Sequence, residues 1–169
     1  CGERVVPRIN RCIGVTAART AVTPEMVRSA LMRVMDPEYG TLSIVDLGIV
    51  DDVAVDDERV SVTLLPTMAG CPAREVIESD VRTALYTQGL SEVEVVWRLD
   101  GSWVPSMLSP LAVDQLGREF SIAIRRDGAL PTCPVCEKPS LREVSPVGPT
   151  RCRAVAWCDA CRNVVEVVG

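Results

Sequence analysis

Histidine is absent from all 169 residues. No imidazole is available to ligate a catalytic zinc or to act as the general base that activates a serine or cysteine nucleophile. Lysine occurs once, at Lys138, and the arginines form no stripe. With a net charge of −5 the chain lacks the clustered cations that a phosphate backbone requires, which excludes nucleic acid as the main partner. No apolar run approaches the roughly 18–20 residues of a membrane span, and no charged-then-apolar leader opens the chain. The expectation is a cytoplasmic protein without a membrane partner. The first residue is Cys1 rather than Met, so the natural N-terminus is expected to be missing or processed.

What is present is apolar side chain, at 47 % of residues, enough for a real core, and eight cysteines. Eight cysteines are compatible with a secreted disulfide framework, but four of them fall into two tight pairs, and a core of this size needs no staples. The reading is therefore a reduced, intracellular chain. Residues 133–169 carry a net +1 and residues 1–132 a net −6. Four thiolates around one dication would lower the tail by two further units, and Arg142, Arg151, Arg153 and Arg162 would offset that centre.

Residues 1–22, with Cys12, show little pattern and form an unassigned extension. From Thr23-Pro24, a cap followed by a first-turn proline, the positions Val27, Ala30, Leu31, Val34 and Met35 follow one helical face. Pro37 and Gly40 end that pattern. Leu42, Ile44, Val53 and Val55 alternate with polar residues and predict a strand, and VSVTLLP predicts its hairpin partner. A helix follows over PAREVIESDVRTALYTQG, then a strand at VEVVWRL and a short helix after Ser109-Pro110. RRDGALPT is loop-like and marks a boundary near 126–132. The expected architecture is α+β: a domain over 23–130 with a small mixed sheet covered by helices, then a cysteine-rich module over 131–169.

That module contains CPVC (Cys133, Cys136) and CDAC (Cys158, Cys161), separated by 21 residues. Each pair puts two sulfurs on one turn, and two turns complete a tetrahedron of thiolates. Strand-like LREV, RCRAVAW and RNVVEVV surround them, which describes a zinc-ribbon arrangement. A segment this short has too little apolar surface to fold unaided, so a metal would supply much of its stability. Structural zinc is the first reading. A mononuclear iron centre, an iron–sulfur cluster and redox-active disulfides are the alternatives. Cys152 is a possible extra ligand or, more simply, a small core residue. Cys71 stands apart in TMAGCPA. With Pro72 at the first position of a helix, its sulfur would lie at the helix N-terminus, where backbone N–H groups lower a thiol pKa. Gly70 would admit a ligand closely. The plainer reading is a buried cysteine filling a helix–sheet gap, and Asp36, Asp46 and Asp51 read by default as turn or cap residues.

These motifs together resemble those of the PaaD family, an iron–sulfur assembly domain followed by a zinc ribbon. Asp36-Pro37-Glu38 and Ser43-Ile44-Val45-Asp46-Leu47-Gly48 resemble the family's opening motif, and LPTMAGCPA its Thr-x-x-Gly-Cys-Pro segment. WVPSMLSP resembles its Trp-to-Ser-Pro stretch, and TRCRAVAWCDAC its tail, Cys152 included. The likeness spans about residues 24–168, with Gly40 where a proline is common. It implies an accessory or maturation factor for iron–sulfur or diiron centres, without turnover of its own, serving the multicomponent phenylacetyl-CoA epoxidase of phenylacetate catabolism. Such a chain is also named as a subunit of that monooxygenase. The resemblance further implies that Cys71 transiently touches iron or a cluster in a pocket shaped by Asp46, Gly70 and Pro72, and that the ribbon docks a client. The partners would be metalloenzyme subunits or iron–sulfur assembly components. The alternative is a non-catalytic adaptor that binds the epoxidase or another metalloenzyme complex through the ribbon.

Overall fold

Residues 21–169, apart from Glu58 and Asp127, are described by a computed structural model. Most of the unassigned extension, including Cys12, lies outside the described residues. Thr23 caps α1 (Pro24–Leu31), its hydroxyl accepting the Met26 N–H at 3.3 Å with Pro24 in the first turn. The helix turns Val27, Ala30 and Leu31 inward. It is shorter than its periodicity predicts. The N–H groups of Arg33 and Val34 bond back to Ala30 and Leu31, a tightened last turn that lets the chain leave the axis. Val34 is still buried, but Met35 is exposed and forms a bridge to Ser43.

The strand expected from Leu42 begins only at Val50. Residues 41–48 form consecutive turns instead, with Leu47 N–H on Ser43, Gly48 N–H on Val45 and Ile49 N–H on Ile44. The Ser43 hydroxyl donates to the Asp46 carboxylate and accepts the Asp46 N–H, which competes with a strand ladder. Leu42, Ile44, Leu47 and Ile49 are all buried, so the hydrophobic spacing is satisfied by a coil wrapped on the core.

β1 (Val50–Asp56) pairs antiparallel with β2 (Arg59–Leu64), and β2 pairs parallel with β3 (Glu92–Trp97). Parallel neighbours need a crossover, which α2 (Arg74–Tyr86) supplies. Val60, Val62 and Leu64 on the central strand are completely enclosed, against Ile77, Val81 and Leu85 of α2 and the inner face of α1. Each such side chain contributes about 1.5–3 kcal/mol of transfer free energy. A 3-10 turn (Pro105–Met107) leads to α3 (Pro110–Arg118), capped by Ser109. A Cβ on Gly48, at φ +67°, would lie 2.6 Å from Met107, so this left-handed position and its close neighbour both call for glycine.

The second sheet is ordered β4-β7-β6-β5, from β4 (Ile122–Ile124), β5 (Leu141–Ser145), β6 (Ala154–Cys158) and β7 (Val164–Val168). β4 is unforeseen in the sequence reading and pairs parallel with β7, whereas the three ribbon strands are antiparallel. Alternation along these two strands joins the cores: Ile122 and Val168 enter the larger core, Ala123 and Val167 the ribbon's. Arg153 fastens the same junction. Its guanidinium pairs with Glu38 on the larger body and with Glu166 on β7, and lies 5.0 Å above the Tyr39 ring centroid. Tyr39 in turn meets Phe120 edge-on at 5.0 Å. The molecule is thus α+β, a small mixed sheet covered by helices with a ribbon at the C-terminus. No helix among the described residues is long and apolar enough to cross a membrane.

Candidate functional site

Both cysteine pairs lie on matching turns. At the first, the Glu137 N–H bonds the Cys133 carbonyl at 2.7 Å; at the second, the Arg162 N–H bonds the Cys158 carbonyl at 2.8 Å. Glu137 and Arg162 take left-handed φ of 59° and 60°, which curls each turn so that both sulfurs face one point. The four sulfurs all lie within 4.8 Å of one another, with Cys133 to Cys161 at 3.7 Å and Cys136 to Cys158 at 3.6 Å. A tetrahedron with metal–sulfur bonds of about 2.3 Å has edges of about 3.8 Å. A disulfide would need about 2.05 Å. The four thiols therefore fit a bound metal and not cross-links. The thiols are not alike: the Cys161 N–H, helped by the Ser140 hydroxyl at 3.1 Å, holds the Cys158 thiol down to about 6, whereas burial pushes the Cys133 thiol up and, against the Lys138 N–H, burial and the neighbouring thiols push Cys136 up to about 12; a cation among the four would favour thiolate at each. Asn163 donates to Cys161 at 3.6 Å.

Cys152 does not belong to this cluster. It lies in the turn before β6 and Cys158 ends that strand, so the two sulfurs sit at opposite ends of it. Cys152 instead lines a cavity of about 580 Å³ between the ribbon and the larger body. Its floor is apolar, formed by residues such as Leu47, Ile77, Trp103 and Leu116. One wall is the loop Gly70–Ala73 with Cys71, another is Asp36–Tyr39, and the ribbon turn Pro149–Cys152 forms a third.

Cys71 is half-buried, neither sealed in the core nor fully displayed. The expected helix start is displaced: α2 begins at Arg74 with Ala73 as its cap, so Pro72 precedes the helix instead of opening it. Only the Ala73 N–H reaches the sulfur. Burial outweighs it and pushes the Cys71 thiol up, with Asp36, Cys152 and Glu38 adding to the rise. The lowered pKa anticipated from a helix N-terminus is therefore corrected to a raised one. A bare thiolate is disfavoured here, and a cation beside the sulfur would reverse that balance.

Gly70 and Pro72 share the cavity wall with Cys71, but Asp46 is not part of it. The Asp46 carboxylate accepts from the Ser43 hydroxyl at 2.5 Å and from the Ser109 hydroxyl at 2.8 Å, and its carbonyl accepts the Ser109 N–H at 2.8 Å. It ties the 41–48 turns to the cap of α3, as its turn-or-cap reading has it. Asp46→Ala is expected to lower stability by about 2–4 kcal/mol, since two hydrogen bonds to a buried charge are lost. Urea unfolding measures this, and an unchanged midpoint would show that the network contributes nothing. Asp36, the acidic residue that does line the cavity, accepts the N–H groups of Glu38 and Tyr39 on one carboxylate oxygen. Asp51 faces elsewhere, paired with Arg98 at 2.7 Å.

Residues 24–97 match the family described as iron–sulfur cluster assembly protein, and residues 121–169 match the PaaD zinc β-ribbon domain. A relative from Escherichia coli strain K12, named as one component of a "Putative 1,2-phenylacetyl-CoA epoxidase", is 35 % identical over 79 % of this chain and 84 % of its own length. The "Fe-S protein maturation auxiliary factor SufT" of Staphylococcus aureus is 40 % identical over 50 % of this chain and 97 % of its own. Among solved structures, a domain of unknown function from Bacillus anthracis superposes with a TM-score of 0.53 at 34 % identity, covering 56 % of this chain and 91 % of that one. The chain belongs to the PaaD family, an iron–sulfur assembly domain joined to a zinc β-ribbon.

Proposed function

We propose that the protein is a maturation factor for iron–sulfur or diiron centres, without turnover of its own, and that its client is a multicomponent phenylacetyl-CoA epoxidase. The observation that carries this reading is Cys71: a half-buried thiol on the wall of a cavity in an iron–sulfur assembly domain. Relatives named as iron–sulfur maturation auxiliary factors support the activity, and the relative named as an epoxidase component supports the client. Gly70 and Pro72 shape the loop that presents the thiol, and iron or a cluster is cargo held there in transit. Asp46 acts at one remove, holding the fold around the cavity. The four-cysteine centre carries structural zinc, which closes all four positions and leaves none for chemistry. Metal analysis of the protein as isolated tests this: one zinc and no visible colour is expected, and a brown protein with iron at that centre would overturn it.

Cys71→Ser tests the function. Epoxidase subunits produced with the variant are expected to hold at least about tenfold less iron-dependent activity, while the variant keeps its metal and its fold. A client fully loaded and active beside Cys71→Ser removes the proposal.

An adaptor role is the second reading, favoured by one feature. β5 is an edge strand of the ribbon sheet, and Val144 on it and Val147 just beyond it are more than half exposed. Unpaired edge groups and apolar side chains suit a protein partner. Under this reading Cys71→Ser is silent and loss of the ribbon abolishes co-purification with the complex.

A further inference from the structure

Cys71 and Cys152 are the two cysteines among the described residues that lie outside the four-sulfur centre, and they line the same cavity. They come from different parts of the chain: Cys71 from the loop before α2, Cys152 from the turn before β6. Both are half-buried and reduced. Each is held from its own side. The Cys71 N–H bonds the Met68 carbonyl at 3.1 Å, and Arg74 donates to the Cys71 carbonyl at 3.3 Å. Across the cavity, the Gly148 N–H bonds the Arg153 carbonyl and the Arg153 N–H bonds the Thr150 carbonyl, which closes the turn that carries Cys152. One residue further on, the Arg153 side chain grips Glu38, so the ribbon turn is anchored to the wall that also bears Asp36.

Asp36, Glu38 and the exposed Arg151 are the charged residues that line the same space, and the Arg153 guanidinium is already shared between Glu38 and Glu166. Two soft sulfurs on one largely apolar chamber of about 580 Å³ describe a place for a thiophilic cation with room for bridging sulfide.

We propose that Cys71 and Cys152 together form a two-thiolate site for iron, as a lone ferrous ion or as the edge of an iron–sulfur cluster, built jointly by the assembly domain and the ribbon. The inference rests on the reading of Cys71 as the cargo thiol and extends it: the ribbon supplies a ligand as well as a docking surface. Each thiol releases its proton to solvent as its sulfur meets the metal, and no electron is transferred.

The test uses the full chain with Cys1→Ser and Cys12→Ser, loaded with one zinc per chain, and cobalt(II) as a spectroscopic probe. The background protein is expected to take up one cobalt with a sulfur-to-cobalt charge-transfer band. Cys71→Ser and Cys152→Ser are each expected to halve that band and to weaken binding by at least about tenfold, and the double variant to abolish it. A full band in Cys152→Ser with loss in Cys71→Ser overturns the shared site and leaves Cys71 as a lone cargo thiol. A full band in both overturns the reading of Cys71 as well. Should Cys152→Ser lose zinc or fold, alkylation mapping of the unsubstituted chain decides instead. Cobalt is expected to protect Cys71 and Cys152 together, and protection of Cys71 alone overturns the proposal. Anaerobic loading with ferrous iron alone, compared with ferric iron and sulfide, then separates the two cargoes, since the visible ferric–sulfide absorption forms from the second mixture with no electron transferred.

Discussion

Stripping the metal from the four-cysteine centre is expected to melt the ribbon sheet while the three-stranded sheet and its helices persist. The ribbon's own cluster is made of small side chains, Ala123, Ala154, Ala156, Val165 and Val167, and the remaining buried members are Cys133 and Cys158 themselves. That is too little apolar surface to offset about 1.5 kcal/mol of ordering entropy per residue. Metal binding in comparable small modules supplies about 10–16 kcal/mol. The larger body has its own core, with Val60, Val62, Leu64, Val81 and Leu85 wholly enclosed. Amide exchange after chelation should therefore lose protection in β5, β6 and β7 and keep it in β2 and α2. Cys158→Ser should reproduce the pattern, and Cys152→Ser should leave ribbon protection unchanged. Intact protection of all strands in protein shown to be metal-free would mean that packing alone holds the tail.

What could be read ahead in the sequence follows from where the information lies. The helices and the strands β1–β3 bury one face at one period, and the ribbon's ligands sit in two short, matching runs. Both are local patterns. The 41–48 segment misleads because Leu42 and Ile44 alternate as in a strand while the Ser43 hydroxyl bonds the Asp46 N–H and carboxylate, and the closure onto Ser109 is visible only in space. β4 escapes notice because three residues beside a polar stretch carry no period of their own; β7 defines them. The helix after Cys71 starts two residues later than Pro72 predicts. With α2 starting at Arg74, one N–H reaches the sulfur, and burial beside carboxylates decides the sign. The cavity, Cys152's place in it and the Arg153–Glu38 contact join segments remote in sequence. Single-residue chemistry gives no sign of them, although the family motifs include Asp36, Glu38 and Cys152.

Arg153→Met is expected to cost about 2–4 kcal/mol and to lower the melting temperature by roughly 5–12 °C. Arg153 is 8 % exposed, with a carboxylate on each arm and the Tyr39 face beneath it. Removing it leaves Glu38 and Glu166 half-buried without a counter-charge. Their partial contact with water keeps the cost below that of a fully enclosed pair. Arg153→Lys should recover at most about half, since a point charge cannot serve two carboxylates and an aromatic face at once. The triple change Arg153→Met, Glu38→Gln, Glu166→Gln should lie closer to wild type than Arg153→Met alone, because no charge is then stranded. Acidity provides an independent check. Burial already raises the Glu38 carboxyl, and Arg153 is the main influence holding it back. Without Arg153 that carboxyl rises further above its unfolded value. The folded variant then binds a proton more readily than the unfolded chain, and its deficit relative to wild type narrows as pH falls from neutral toward about 5. A deficit that stays constant over this range, or a triple variant no better than the single one, would locate the loss in packing against Tyr39 and not in the ion pairs that join the ribbon to the larger body.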